Sequence, residues 1–323
     1  MIVTVTPNPS LDRTFDVDVL AVGEVNRAHA THVHPGGKGI NVSRALQAHG
    51  IASRAVLPVG GSDGAELVAL LSGLSLPTTA VPVAQATRSN VAVVDAVGTT
   101  TKVNAAGPAL AAAEVSALAA AVEDLLDGAA GPVSGLVLAG SLPRGAGPDL
   151  YLRLVDAARG RDVPTAVDAS GEVLRSVVEH GGTAVLKPNL EELGEVLGSE
   201  PGTVGEIVDG ARRVLDFGHG AVLVSLGADG AVLVTPDASW WAGGAPIVPR
   251  STVGAGDSTL AGYLASAGDP ADRLRSAVAW GRAAVALPGS AIPSPGDVAP
   301  DDVAVVPDPH PSARPADLAA TTV

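Results

Sequence analysis

Short Val-rich runs alternate with Ala- and Leu-rich stretches of helical length along most of the chain, and this rhythm narrows the choice of fold most. Brief apolar runs bounded by Gly and Pro read as strands buried on both faces. Such strands belong to parallel sheets covered by helices. From residue 109 the alternation is regular. Helix 110–126 leads to strand 135–139, helix 148–159 to strand 163–167, and helix 171–179 to strand 183–186. Helices 190–197 and 204–217 precede strands 221–225 and 231–235, and helices 257–266 and 271–286 follow. The first part starts the same way, with strand 2–6, helix 40–48 closed by Gly50, strand 53–59, helix 64–72 and strand 79–83. The expected fold class is α/β, with a mostly parallel sheet covered on both faces.

Two regions break the rhythm. Residues 14–20 and 25–33 alternate in polarity, and 88–97 with 99–103 reads as a hairpin turning at Gly98. Together they predict a small separate sheet drawn from about 14–34 and 88–104. Past residue 288 the chain is rich in Pro, Asp and Ala. Residues 1–307 are expected to form the domain and 308–323 a disordered tail.

Composition removes several classes of function. Aromatic residues are 2% of the chain, so the core must be built from Ala, Val and Leu. There is no cysteine, which excludes disulfides, thiolate metal sites and Cys nucleophiles. A net charge of −14 argues against binding nucleic acid or anionic membranes. No signal peptide or membrane-spanning run is legible, so the expected location is the cytoplasm. Of the 20 basic residues, only Lys38, Lys102 and Lys187 are lysines. Codon bias is one reading; the other is that Lys is kept where a compact charge is needed. All three fall inside motifs.

The strongest motif is Ser251-Thr252-Val253-Gly254-Ala255-Gly256-Asp257-Ser258, which runs into an apolar helix. Small residues admit a ligand to the backbone, and the helix start offers free N–H groups to an anion. An Asp there can take a proton from an attacking hydroxyl. The plain alternative is an N-cap Asp after a glycine turn. Neither Gly-x-Gly-x-x-Gly after an early strand nor Gly-Lys-Ser/Thr occurs. A second glycine-opened helix, Pro35-Gly36-Gly37-Lys38-Gly39-Ile40-Asn41, suits a polyhydroxy anion through its amides, Asn41 and Lys38. In Lys187-Pro188-Asn189-Leu190-Glu191-Glu192, Asn189 and Glu192 share a helix face. That pair either holds a hydrated Mg²⁺ or forms a capping box. His32 and His34 share a strand face but have no acidic third ligand close by, so a metal site is not expected there.

In this order, Asn8-Pro9-Ser10-Leu11-Asp12, PGGKGINVSR at 35–44, TRSN at 87–90, GSLP at 140–143, DASG at 168–171, KPNLEE at 187–192, SLGADG at 225–230 and STVGAGDS at 251–258 resemble the ribokinase-like, phosphofructokinase B family of carbohydrate kinases. The branch resembled most is bacterial 1-phosphofructokinase, with tagatose-6-phosphate kinase beside it. The resemblance covers about residues 1–300. It implies a three-layer αβα core and a β-sheet lid that pairs into a homodimer. It also implies ATP and Mg²⁺ as cofactors and a small sugar phosphate as partner. Asp257 would be the base, with Gly254, Ala255 and Gly256 forming an anion hole. Asp12, Gly37, Lys38 and Asn41 would bind the sugar, with Asn90 and Ser141 beside them. Arg27, Lys38 and Arg88 are the candidate cations for its phosphate. Lys187, Asn189, Ser225, Gly227 and Gly230 would line the nucleotide, and Asn189 with Glu192 would hold Mg²⁺ through water. The reaction implied is ATP plus D-fructose 1-phosphate to ADP plus D-fructose 1,6-bisphosphate. The alternatives are 6-phosphofructokinase, tagatose-6-phosphate kinase and a non-catalytic sensor. Two departures stand out. Lys102 replaces the branch's usual Glu, and Arg144 replaces a usual Pro, the latter without expected consequence for the chemistry.

Overall fold

The computed structural model of the protein describes residues 1–321. In chain order the strands of its larger sheet are β1 (Ile2–Val5), β4 (Ser53–Val59), β5 (Thr78–Pro82), β8 (Gly135–Ala139), β9 (Thr165–Asp168), β10 (Val185–Leu186), β11 (Val222–Ser225), β12 (Ala231–Val234), β13 (Ser239–Gly243) and β14 (Ala304–Pro307). Across the sheet they lie in the order β14-β13-β12-β11-β10-β9-β8-β1-β4-β5. All neighbours from β5 through to β11 pair in parallel. The remaining edge, β11 to β14, is antiparallel.

Each central strand is apolar on both sides, as the Val-rich runs require. Along β8, Leu136 and Leu138 enter one core cluster, whereas Val137 and Ala139 enter the other. The first cluster packs under helices α3 (Ala112–Leu126), α4 (Asp149–Arg159), α5 (Gly171–His180), α6 (Leu190–Leu197) and α7 (Val204–Leu215). The second packs under α1 (Lys38–Ala48), α8 (Ala255–Ala265) and α9 (Pro270–Val285). Helix α2 (Gly61–Gly73) closes a third, smaller cluster with Leu57 and Leu11. This is the three-layer α/β arrangement expected from the sequence.

Four more strands form the separate sheet: β2 (Ser10–Asp16), β3 (Ala30–Gly36), β6 (Arg88–Val94) and β7 (Thr100–Val103), in the order β3-β2-β6-β7. The small sheet was expected, but its first two strands were expected at 14–20 and 25–33. The register is set earlier because Leu11 is fully buried against the third cluster and fixes β2 from Ser10. Residues 17–29 are instead the connection between β2 and β3.

The tail also differs from expectation. Residues 308–321 are not disordered: helix α10 spans Pro315–Thr321, and Ala313 and Leu318 pack against the first cluster. The Val204 and Gly205 N–H groups at the start of α7 donate to the carbonyls of Ala313 and Pro311, both at 2.9 Å. A helix start needs such acceptors, and the tail supplies them. Residues 322 and 323 lie outside the described residues. Strands β13 and β14, absent from the sequence reading, widen the sheet beyond β12.

Candidate active site

Strand order reverses at β1. The chain passes from β1 to β4 and β5 on one side, then returns to β8 on the other. In open parallel sheets the crevice beyond the strand ends at such a point is where ligands bind. The residues just past those ends are Thr6 after β1, Gly140 and Ser141 after β8, Asp168 closing β9, Lys187 after β10 and Ser225 closing β11. The N-termini of α1 and α8 open onto the same crevice, since residues from their first turns touch each other.

Two of the three lysines meet there on one carboxylate. Lys38 Nζ donates to Asp168 Oδ1 at 2.7 Å, and Lys187 Nζ lies 2.9 Å from Asp168 Oδ2. Asp168 is 1% exposed and Lys187 5%, whereas Lys38 keeps 39% of its side chain in solvent. Burial pushes the Asp168 carboxyl up, but Lys187 and then Lys38 more than reverse this and hold it below the usual range. Burial pulls Lys38 down, and Asp168 overrides it, with Asp257 and Glu192 adding to the upward push. Two cations on one acid leave one positive charge over, which an ionised Asp257 beside them balances.

Asp257 sits in the first turn of α8 and is 7% exposed. Its Oδ2 accepts a 2.8 Å hydrogen bond from Asn41 Nδ2, from α1. Burial pushes Asp257 up to about 6, the negative Asp168 adds to that, and Asn41, Lys38 and Lys187 limit the rise. A carboxylate poised there accepts a proton more readily than an ordinary surface Asp. Gly254, with φ 77°, caps the helix in a left-handed conformation. The first-turn amides of α8 have no acceptor within the helix, although Ala255 N–H turns back to the Thr252 carbonyl at 3.4 Å. A side chain at Gly256 would stand 3.5 Å from Lys187 Nζ, so the glycine keeps the space beside that cation open.

On the small-sheet side, Asp12 Oδ1 accepts from Asn90 Nδ2 at 2.9 Å and from Ser10 Oγ at 2.7 Å. A Cβ at Gly36 would collide with the Asp12 carboxylate and with Ser10, which explains the glycine there. Gly37, at φ 131°, turns the chain into α1 in a region that L side chains avoid. Arg88 donates to the carbonyls of Ala105 and Asn8, each at 3.0 Å. Asn8 Nδ2 reaches Ser141 Oγ at 3.4 Å.

On the other side, Asn189 Oδ1 accepts from Glu192 N–H at 2.7 Å, and Glu192 Oε2 accepts from Asn189 N–H at 2.8 Å. The pair is thus a capping box. Ser225 N–H donates to the Pro188 carbonyl at 3.0 Å, which joins this segment to the β11 end. Gly227 and Gly230 hold φ 62° and 90° in the turn after it, and a Cβ on Gly230 would strike the Ala242 carbonyl.

The structure therefore brings Lys38, Asn41, Lys187 and Asp257 into one cluster. Beside that cluster Asp12 pairs with Asn90, and Asn8 links Arg88 to Ser141; Ala105 joins the two pairs, its N–H donating to Asn90 Oδ1 at 3.2 Å and its carbonyl accepting from Arg88. Arg27 is not brought to it: this residue lies on the exposed connection between β2 and β3, with no polar contact to the cluster among the described residues. Lys102 is exposed on β7, opposite Ala92. Asp168 was missed as a site residue. Its signal was legible, because an Asp closing an apolar strand of a parallel sheet points at the crevice.

An α/β domain with a buried carboxylate at a helix mouth and a small sheet beside the crevice falls in the class of small-molecule kinases. Comparison with known proteins agrees. Residues 5–296 match the model of the pfkB family of carbohydrate kinases. The chain is 36% identical to a 1-phosphofructokinase of Bacillus subtilis, over 82% of this chain and 85% of that one. It is 38% identical to an ATP-dependent 6-phosphofructokinase isozyme 2 of Mycobacterium tuberculosis, over 80% and 76%. The crystal structure of phosphofructokinase-2 from Escherichia coli in complex with fructose-6-phosphate superposes with a TM-score of 0.83 at 30% identity, covering 92% of this chain and 96% of that one. The chain belongs to the pfkB family of carbohydrate kinases and is an ATP-dependent sugar kinase. No helix among the described residues is long and apolar enough to cross a membrane.

Proposed function

We propose that the protein transfers the γ-phosphoryl of ATP to the free primary hydroxyl of D-fructose 1-phosphate, giving ADP and D-fructose 1,6-bisphosphate. The observation that carries this reading is Asp257, buried, raised to about 6 and hydrogen-bonded to Asn41 at the mouth of α8. Its carboxylate takes the hydroxyl proton as the oxygen attacks in line. Charge that grows on the transferred phosphoryl is met by the amides of the Gly254–Gly256 turn and by Lys38 and Lys187. Asp168 is a positioning residue: it holds both ammonium groups and adds no proton chemistry. Asp12, Gly37, Asn41, Asn90 and Ser141 orient the sugar, and Arg88 faces its existing phosphate.

ATP lies along Lys187, Asn189, Ser225, Gly227 and Gly230. Glu192 keeps one carboxylate oxygen outside the capping box, which fits a Mg²⁺ ion held through water rather than in a protein cage. When bound, that ion neutralises phosphate charge on the nucleotide. We further infer a cytoplasmic homodimer. Val19, Val22, Val25, Val97 and Val103 of the small sheet and its loops are all more than half exposed, a ready surface for a second lid.

6-Phosphofructokinase is the second reading, favoured by the 38% identity to the M. tuberculosis enzyme. A coupled ADP-release assay across fructose 1-phosphate, fructose 6-phosphate and tagatose 6-phosphate separates them; a clear preference for either of the last two ends the fructose 1-phosphate reading. Asp257→Asn should lower kcat by about three orders of magnitude while substrate binding persists, a loss within the range that general-base catalysis supplies. Near-normal turnover would remove Asp257 from the mechanism.

A further inference from the structure

By sequence, Arg144 stands where the family usually has Pro, with no consequence expected for the chemistry. The structure puts it on an open, solvent-facing cavity of about 540 Å³ that it shares with Arg88 and Gln85. No acidic residue lines this cavity, in a chain of net charge −14. Both guanidinium groups hold the same short segment. Arg88 Nη1 donates to the Ala105 carbonyl at 3.0 Å, and Arg144 Nη2 reaches the Gly107 carbonyl at 3.4 Å. Arg88 Nε is buried without an acceptor. Arg144 itself is exposed, so most of its donors are free to turn into the cavity. The cavity adjoins the sugar side of the crevice: Arg88 also holds the Asn8 carbonyl, and the Asn8 side chain reaches Ser141, three residues before Arg144.

We propose that Arg144 is a specificity-determining residue that, with Arg88, grips the phosphate already present on the sugar substrate. A phosphate dianion offers oxygens to both planar forks at once, and Gln85 adds an amide at the rim. A substrate without that phosphate gains nothing from the pair. This proposal rests on the sugar-phosphate reading above, but not on which sugar phosphate it is.

The test compares the wild type with Arg144→Gln and Arg144→Lys, the wild type first being assayed on the three sugar phosphates. That preference judges the fructose 1-phosphate reading; Arg144 is judged on whichever sugar phosphate turns over fastest. Arg144→Gln should raise KM for it about tenfold or more. It should leave kcat and the KM for ATP within about twofold, and raise the inhibition constant of inorganic phosphate against the sugar in parallel. Arg144→Lys should recover part of the loss, and the mutational effect should shrink as salt rises. A KM for the sugar phosphate within about twofold of wild type overturns the proposal, as does an equal rise in the KM for ATP, which marks mere loosening of the segment. If no sugar phosphate is turned over, the reaction reading fails, and calorimetric binding of inorganic phosphate decides for Arg144: a tenfold loss in Arg144→Gln supports it and no difference refutes it.

Discussion

Lys187→Met is the most informative single perturbation, because it strips one cation from an acid that is 1% exposed. Methionine fills a similar volume, so the change isolates the charge. Removing one partner of a buried ion pair costs about 3–5 kcal/mol, since the remaining charge is left desolvated. Lys38 stays on Asp168 at 2.7 Å, which places the expected cost near the low end, about 3 kcal/mol. For a chain of this size that is a fall in Tm of about 4 °C. The same substitution reaches Asp257. Lys187 is one of the groups that limit its rise, so without Lys187 the base moves further above about 6. Thermal unfolding at pH 7.5 and the pH dependence of kcat/KM for the sugar at saturating ATP measure both effects. The acidic limb should move to higher pH. The double variant Asp168→Asn/Lys187→Met should regain at least about 1 kcal/mol, because no buried carboxylate is then short of a partner. A Lys187→Met protein that loses less than about 1 kcal/mol and keeps its acidic limb in place refutes the account of the cluster.

Other outcomes follow from the same geometry. In the wild type, kcat/KM should fall below a pH of about 6 with the loss of one ionised group, because Asp257 must be deprotonated to act; a flat profile between pH 5 and pH 7 contradicts this. For stability the sign is opposite. Asp257 is raised above its unfolded value of 3.8, so its contribution is full below pH 3.8 and is lost as pH rises through about 6. Asp257→Asn should therefore leave Tm at pH 8 unchanged or higher, and a marked fall would show that the ionised carboxylate stabilises the fold. Gly262→Ala should cost about 1–3 kcal/mol without touching the chemistry. Its Cβ would stand 2.7 Å from the Ser276 carbonyl and 2.8 Å from Trp280, where α8 and α9 cross. Denaturant unfolding reads the cost, and an unchanged midpoint argues against that crossing.

The periodicity of the chain fixed the layers: strands apolar on both faces have nowhere to go but between helices, and β1, β4, β8, β9 and β11 were legible for that reason. Ordered motifs pointed to Lys38, Asn41, Lys187 and Asp257, since glycine turns at helix starts advertise themselves locally. What the sequence could not give is proximity. Asn41 touches Asp257 across 216 positions, and Lys38 meets Asp168 across 130, because strand order, not chain order, sets neighbours at the crevice. The start of β2 was decided by burial of Leu11, and the tail's structure by the free amides of α7, neither of which carries a local pattern. Arg144 and Arg88 share a cavity for the same reason: a turn after β8 and the first residue of β6 converge only once the small sheet sits beside the large one.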